Sequence, residues 1–265
     1  MYAFAAITLG LSSPLRPPRV VTTGGAIVGT ALPRGTPDAV PVNQFLGIPF
    51  AAPTKRWEPP VDFTGRYAHD MLNATMWGRA CLQVLSANAT YGDEDCLRIN
   101  VWQPAQPQRP LKPVLVFIYG GSNQFGEAEP YNMSGLAAFH DVVCVSFNYR
   151  TGPIGWMAFE SDVAVGRPTG NWGILDIQSA LRWVHREIWA FGGDPRRVAI
   201  HGQSSGGGLV ELQLVSPASD GLFRAAISES GGLGVRVRVG HGHGHGHGLG
   251  LGLGLGLGLG LGLSL

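Results

Sequence analysis

Charge is scarce in this chain. Of its 265 residues only 14% are Asp, Glu, Lys or Arg, and the formal net charge is +1. So neutral a chain has no basic field to draw nucleic acid or to dock on an acidic membrane surface, and no nucleic-acid partner is expected. No run is long and apolar enough to cross a bilayer, so no integral membrane segment is expected either. Cysteines number three. Nothing in the folded part points to a metal site or a cofactor. What is present is 45% hydrophobic residues, with aromatics and turn residues between them. That mixture suits one large globular domain or a fragment of something larger.

The chain reads in three parts. Residues 1–19 open with an apolar stretch and turn rich in Ser, Pro and Arg, as a leader or signal peptide would, though without a basic start. Residues 20–232 carry the folding signals. Val20 to Gly29 reads as a hairpin around a glycine pair. Leu97 to Trp102 reads as a strand. Val114 to Ile118 and Val142 to Phe147 are continuous apolar runs, as buried sheet strands should be. Ile174, Ile177, Leu181, Val184 and Ile188 recur three and four apart, which predicts a helix with that stripe on the sheet. Gln178, Arg182 and His185 fall off the stripe and are expected in water. Strands alternating with helix argue for a mixed or parallel sheet with helices on its faces.

Residues 233–265 change character. Val235-Arg236-Val237-Arg238-Val239 leads into four His-Gly pairs from His241, and Gly-Leu alternation follows from Gly248. Half of such a repeat buries nothing, and each glycine disfavours helix by about 1 kcal/mol. The DNA hexamer TTAGGG gives Leu-Gly in one frame and Val-Arg in another. A reading frame that runs into such repeats would produce this tail, and diverse Leu and Gly codons in the gene would refute that origin. The repeat histidines are expected to bind metal only adventitiously.

The most telling string is Gly202-Gln203-Ser204-Ser205-Gly206. A strand-like run, Val198 to His201, precedes it, and a helix-like run, Leu209 to Leu212, follows. A serine between glycines at a strand-to-helix turn is a nucleophile elbow. The glycines let the backbone bend tightly, and the Ser204 Oγ is pushed out above the sheet. The N–H groups that open the helix face an incoming oxyanion. Ser204 is therefore the candidate nucleophile, and the Ser205 N–H a candidate donor.

Other strings accompany it. They are Glu94-Asp95-Cys96-Leu97, Asn148-Tyr149-Arg150, Gly152-Pro153-Ile154-Gly155, Gly170-Asn171-Trp172-Gly173, Phe191-Gly192-Gly193-Asp194-Pro195 and Gly221-Leu222-Phe223-Arg224-Ala225-Ala226-Ile227. In this order they resemble the type-B carboxylesterase/cholinesterase family, lipase-like members included, over about residues 40 to 232. The resemblance implies an α/β-hydrolase fold, here truncated, with a mixed, mostly parallel sheet flanked by helices. It implies hydrolysis of small-molecule or lipid carboxylic esters through an acyl-enzyme. The oxyanion loop carries over to Gly121 and Ser122, with Ser122 where the family usually has a third glycine. Ser205 replaces a common alanine. Gln203 replaces the usual glutamate, which predicts a weaker preference for cationic substrates.

Cys81 and Cys96 match the family's first disulfide loop; the alternative is two unrelated thiols. Cys144, in an apolar strand run, reads as a buried free thiol. Asn73, Asn88 and Asn132 each begin a glycosylation sequon. With a disulfide they favour a secreted protein. Glu94 and Arg150 read as structural ion-pair members.

The family's order is Ser, then an acid, then His, the last two far downstream. No such residues precede the repeat. His201 is held in the strand and cannot fold back over the Oγ. His69, His140 and His185 read as structural or solvated, and Glu229 is not assigned as the acid. The chain as given is thus expected to be inactive and poorly soluble. Two other readings stand beside the hydrolase: a non-catalytic cholinesterase-like binding or adhesion module, and a truncated pseudogene product.

Overall fold

The structure is a computed structural model. It describes residues 17–232 apart from 34, 37, 53, 54, 87, 106–109, 167 and 168. The expected leader up to residue 16 and the repeat from 233 lie outside the described residues, the His-Gly pairs included.

One seven-stranded sheet organises what is described. Its strands in chain order are β1 (Thr30–Leu32), β2 (Val42–Pro49), β3 (Arg98–Pro104), β4 (Lys112–Ile118), β5 (Val143–Phe147), β6 (Gly193–Gln203) and β7 (Ala225–Glu229). They lie side by side in the order β7-β6-β4-β5-β3-β2-β1. The run from β7 through β6 and β4 to β5 is parallel, and the run from β5 through β3 and β2 to β1 is antiparallel. Every residue of β5 is buried. That is why its sequence is a continuous apolar run instead of an alternating one. Cys144 lies within it as a free thiol, and burial pushes its pKa up to about 12. Neutral at physiological pH, it is inert as a nucleophile.

The helices are α1 (Ser134–His140), α2 (Gly152–Trp156), α3 (Glu160–Ala164), α4 (Trp172–Glu187) and α5 (Ser205–Val215). In α4 most of the expected stripe is buried: Ile177, Leu181 and Val184 are fully buried, Ile188 just beyond the helix joins them, and Ile174 at the start is half-buried. Of the residues expected in water, Gln178 is not there and Arg182 is only partly there. Gln178 is buried and donates to Ser216 Oγ at 2.9 Å. Arg182 holds both oxygens of Asp62 at 2.7 and 2.8 Å, and Ser179 Oγ donates to the same carboxylate at 2.6 Å. Asp62 belongs to a small two-stranded ribbon, Ala51–Ala52 with Val61–Asp62, that covers this side of the helix. An amphipathic stripe cannot foresee a second layer over the polar face. His185 is exposed, as expected.

The predicted hairpin forms, with Arg19–Thr22 paired to Gly25–Val28 around Thr23 and Gly24. Cys81 and Cys96 are joined in a disulfide. Glu94 pairs with Arg56 near this loop, and both are substantially exposed. Arg150 pairs with Asp176 in the interior. Both singled-out charges are thus members of ion pairs.

Candidate functional site

The parallel half of the sheet delivers two backbone turns to one place. The first is the step from β6 into α5. Ser204 sits there with φ 57° and ψ −128°, a region that L-residues occupy only when the surroundings impose it. The surroundings here are backbone. A Cβ at Gly202 would lie 2.3 Å from Gly206 O, and one at Gly206 would lie 2.2 Å from Ile118 O. Both glycines are therefore required by close approach. The Ser204 N–H donates to Glu229 O on β7 at 2.8 Å, and Ser204 O accepts the Gly208 N–H at 3.1 Å. The turn is pinned on both sides.

The second turn follows β4. Tyr119 and Tyr149 stack at 4.3 Å and tie the ends of β4 and β5 together. Tyr119 OH donates to Tyr149 O at 3.0 Å, and Tyr149 OH donates to Tyr119 O at 2.6 Å. Burial pushes both phenols above their ordinary pKa, so they remain donors at any physiological pH. The next residues are Gly120, Gly121 at φ 128°, Ser122 at φ 55° and Asn123 at φ 60°. Gly121 O accepts from Gln124 N and Phe125 N at 2.9 and 3.2 Å. A Cβ at Gly120 would lie 2.4 Å from Gln203 O and 3.0 Å from Ser204 Cβ. The loop thus packs directly on the elbow. Asn123 N donates to Ser205 Oγ at 3.2 Å and Asn123 O accepts Gly152 N at 2.7 Å, which fastens the loop at its far end.

Gly120 and Asn123, the residues on either side of Gly121 and Ser122, are therefore packed on Ser204 and bonded to Ser205. The four histidines within the described residues are not brought to them. His69 lies exposed in a short turn, His140 ends α1, and His185 is exposed on α4. The His201 ring packs against Phe117 at 5.2 Å, and its Nε2 comes within 3.2 Å of Glu229 Oε1 without hydrogen-bond alignment. Among the described residues no histidine hydrogen-bonds to Ser204, and no group of three or more His, Cys, Asp and Glu is placed to hold a metal ion. No described helix is long and apolar enough to cross a membrane. Asn73, Asn88 and Asn132 are all exposed.

Three features of the site escaped the sequence reading. The tyrosine pair joins residues thirty apart, and nothing local marks such a partnership. The Ser205 hydroxyl accepts the Asn123 N–H, a role that no local pattern announces. Asp176 was hidden inside the helix pattern; a carboxylate one residue before the buried Ile177 was the available signal.

Comparison with known proteins fits this geometry. The model of the carboxylesterase family matches residues 16–242. Human bile salt-activated lipase is 40% identical over 225 residues, covering 80% of this chain and 29% of the relative. Human cocaine esterase is 41% identical over 210 residues, 72% of this chain and 36% of the relative. Fumonisin B1 esterase of Sphingopyxis macrogoltabida is 39% identical over 206 residues, 72% of this chain and 37% of the relative. The chain thus spans about one third of the length of these curated relatives.

Proposed function

The chain belongs to the carboxylesterase family, and from that premise we propose that it carries the nucleophile and oxyanion hole of a carboxylic ester hydrolase. The family implies the α/β-hydrolase fold, and the mixed sheet with its flanking helices is that fold in part. The observation that carries the functional reading is the backbone of Ser204 at φ 57° and ψ −128°. Strain of that kind serves no purpose in a plain turn, and the serine that bears it is half-exposed.

In this reading Ser204 Oγ attacks the ester carbonyl and its proton passes to a general base. The tetrahedral oxyanion accepts N–H bonds from Gly121, Ser122 and Ser205. The intermediate collapses, the alcohol leaves with a proton, and acyl-Ser204 remains for water to hydrolyse. The base and its acid partner are assigned to chain beyond the described residues, in the family's order. Without a base and acid the oxyanion hole and positioning alone would leave about 10³- to 10⁴-fold acceleration over water, far short of a complete triad.

The relatives' names span a lipase, a cocaine esterase and a fumonisin esterase. Their shared element, a carboxylic ester, is the substrate class proposed here. Gln203 is exposed beside the nucleophile. Changing Gln203→Glu would add a negative charge there, and kcat/KM for a choline ester relative to its uncharged analogue should rise severalfold. An unchanged ratio would remove Gln203 from specificity. The disulfide and three exposed sequons support passage through a secretory route.

A fluorophosphonate probe tests the reading directly on protein made from the complete transcript. The expected result is one labelled peptide, bearing Ser204, with glycan on Asn73, Asn88 or Asn132 in the same digest. A folded protein that never labels would favour the binding-module reading instead, and one without glycan would count against secretion.

A further inference from the structure

Two departures from the family pattern are linked through one neighbour, Asn123, which follows the first in the chain and hydrogen-bonds to the second. Ser122 stands where the family has a third glycine, and Ser205 where alanine is common. Ser122 and Asn123 both hold left-handed backbone, at φ 55° and 60°. Glycine adopts that conformation freely, whereas a residue with a Cβ does so at a steric cost. Something must hold the loop in place against that cost. Its own bonds, Gly121 O to Gln124 N and Phe125 N, stay within the loop, and Asn123 O reaches out to Gly152 N. The bond that joins the loop to α5 runs from Asn123 N to Ser205 Oγ.

We propose that the Ser205 hydroxyl is a positioning residue: by accepting the Asn123 N–H it holds the Gly121 and Ser122 donors over Ser204 and offsets the side chain at position 122. This rests on the reading of Ser204 as the nucleophile. The role of the hydroxyl is separate from that of the Ser205 N–H, which alanine would preserve. Alanine at 205 removes the acceptor and leaves Asn123 N–H unpaired, so a loop that is already strained can drift. Oxyanion donors contribute most when charge develops on the carbonyl oxygen, so drift should lower kcat and leave KM nearly alone.

A double-mutant cycle on protein from the complete transcript tests this. The readouts are the rate of fluorophosphonate labelling at Ser204, the kcat and KM of an activated ester, and amide hydrogen exchange at Asn123. Ser205→Ala is expected to slow labelling about tenfold, the worth of one neutral hydrogen bond. Ser205→Thr, which keeps a hydroxyl, should recover most of the rate. With Ser122→Gly in place, the loss from Ser205→Ala should shrink to about twofold, because the loop then carries the steric cost of Asn123 alone. Asn123 exchange should speed about tenfold when the hydroxyl is removed. Equal losses in both backgrounds would overturn the proposal, and so would an Asn123 amide indifferent to Ser205. If Asn123 exchange follows Ser205 but the unaltered protein never labels, the hydrolase reading fails and takes the catalytic role of the hydroxyl with it. If labelling is normal but exchange is indifferent, this inference alone fails.

Discussion

Ser204→Ala is expected to lower ester turnover by the complete protein about 10⁴- to 10⁶-fold, with the fold intact. The substitution removes the atom proposed to form the acyl-enzyme and nothing else. Alanine meets the same strained backbone that serine tolerates, and the anchors of the elbow are main-chain groups: Ser204 N to Glu229 O and Gly208 N to Ser204 O. Tm should therefore stay within a few degrees while kcat collapses. KM should change far less, since ground-state binding does not use the nucleophile. Turnover that survives the change within tenfold would show that another residue attacks the ester. A collapse of Tm with activity would show that the serine holds the turn together, and the kinetic result would then say nothing of chemistry.

Arg150→Ala should be the most damaging single change to stability, at about 3–5 kcal/mol. Arg150 and Asp176 are both buried, and the guanidinium reaches Asp176 through two bonds of 2.7 and 2.8 Å. It also donates to Glu58 O at 2.8 Å, while Arg150 N donates to Asp176 at 3.0 Å. Burial raises the Asp176 pKa, and Arg150 opposes that rise. Without the arginine the carboxyl pKa in the folded protein rises further. The folded variant then binds a proton that the unfolded chain releases above about pH 4, so its stability falls as pH increases. The deficit against the unaltered protein should be smallest near pH 4 and should widen toward neutrality. Urea unfolding at both pH values measures this. A deficit below about 1 kcal/mol at neutral pH, or one that narrows as pH rises, would refute the buried ion-pair account.

Much of the fold was legible because its signals are local. The apolar runs of β4 and β5, the stripe of α4 and the glycines about Ser204 each report a backbone state that a few neighbouring residues decide. The disulfide pairing came from the family resemblance and agrees with the structure. Gln178 shows the limit: its place on the helix was read correctly, but its burial depends on a turn thirty-eight residues away. Arg182 is half-exposed, but its partner Asp62 precedes it by 120 residues and was equally out of reach. Secondary structure follows from short-range sterics and periodicity. A polar side chain's partner is chosen by how distant segments pack.

By itself the sequence determined that a serine would occupy a tight strand-to-helix turn, since glycines at 202 and 206 let the backbone bend sharply and approach closely, and that buried strands would flank it. Tertiary structure alone decided that the loop at Gly120 would press on Ser204, that Tyr119 and Tyr149 would fasten it, and that Ser205 would accept from Asn123. Those contacts join the ends of β4 and β5 to the turn from β6 into α5; β6, β4 and β5 are neighbours in the sheet but far apart in the chain. The physical reason is range. Steric limits on φ and ψ act within a residue or two, whereas an oxyanion hole is assembled from backbone groups whose separation only the folded sheet sets.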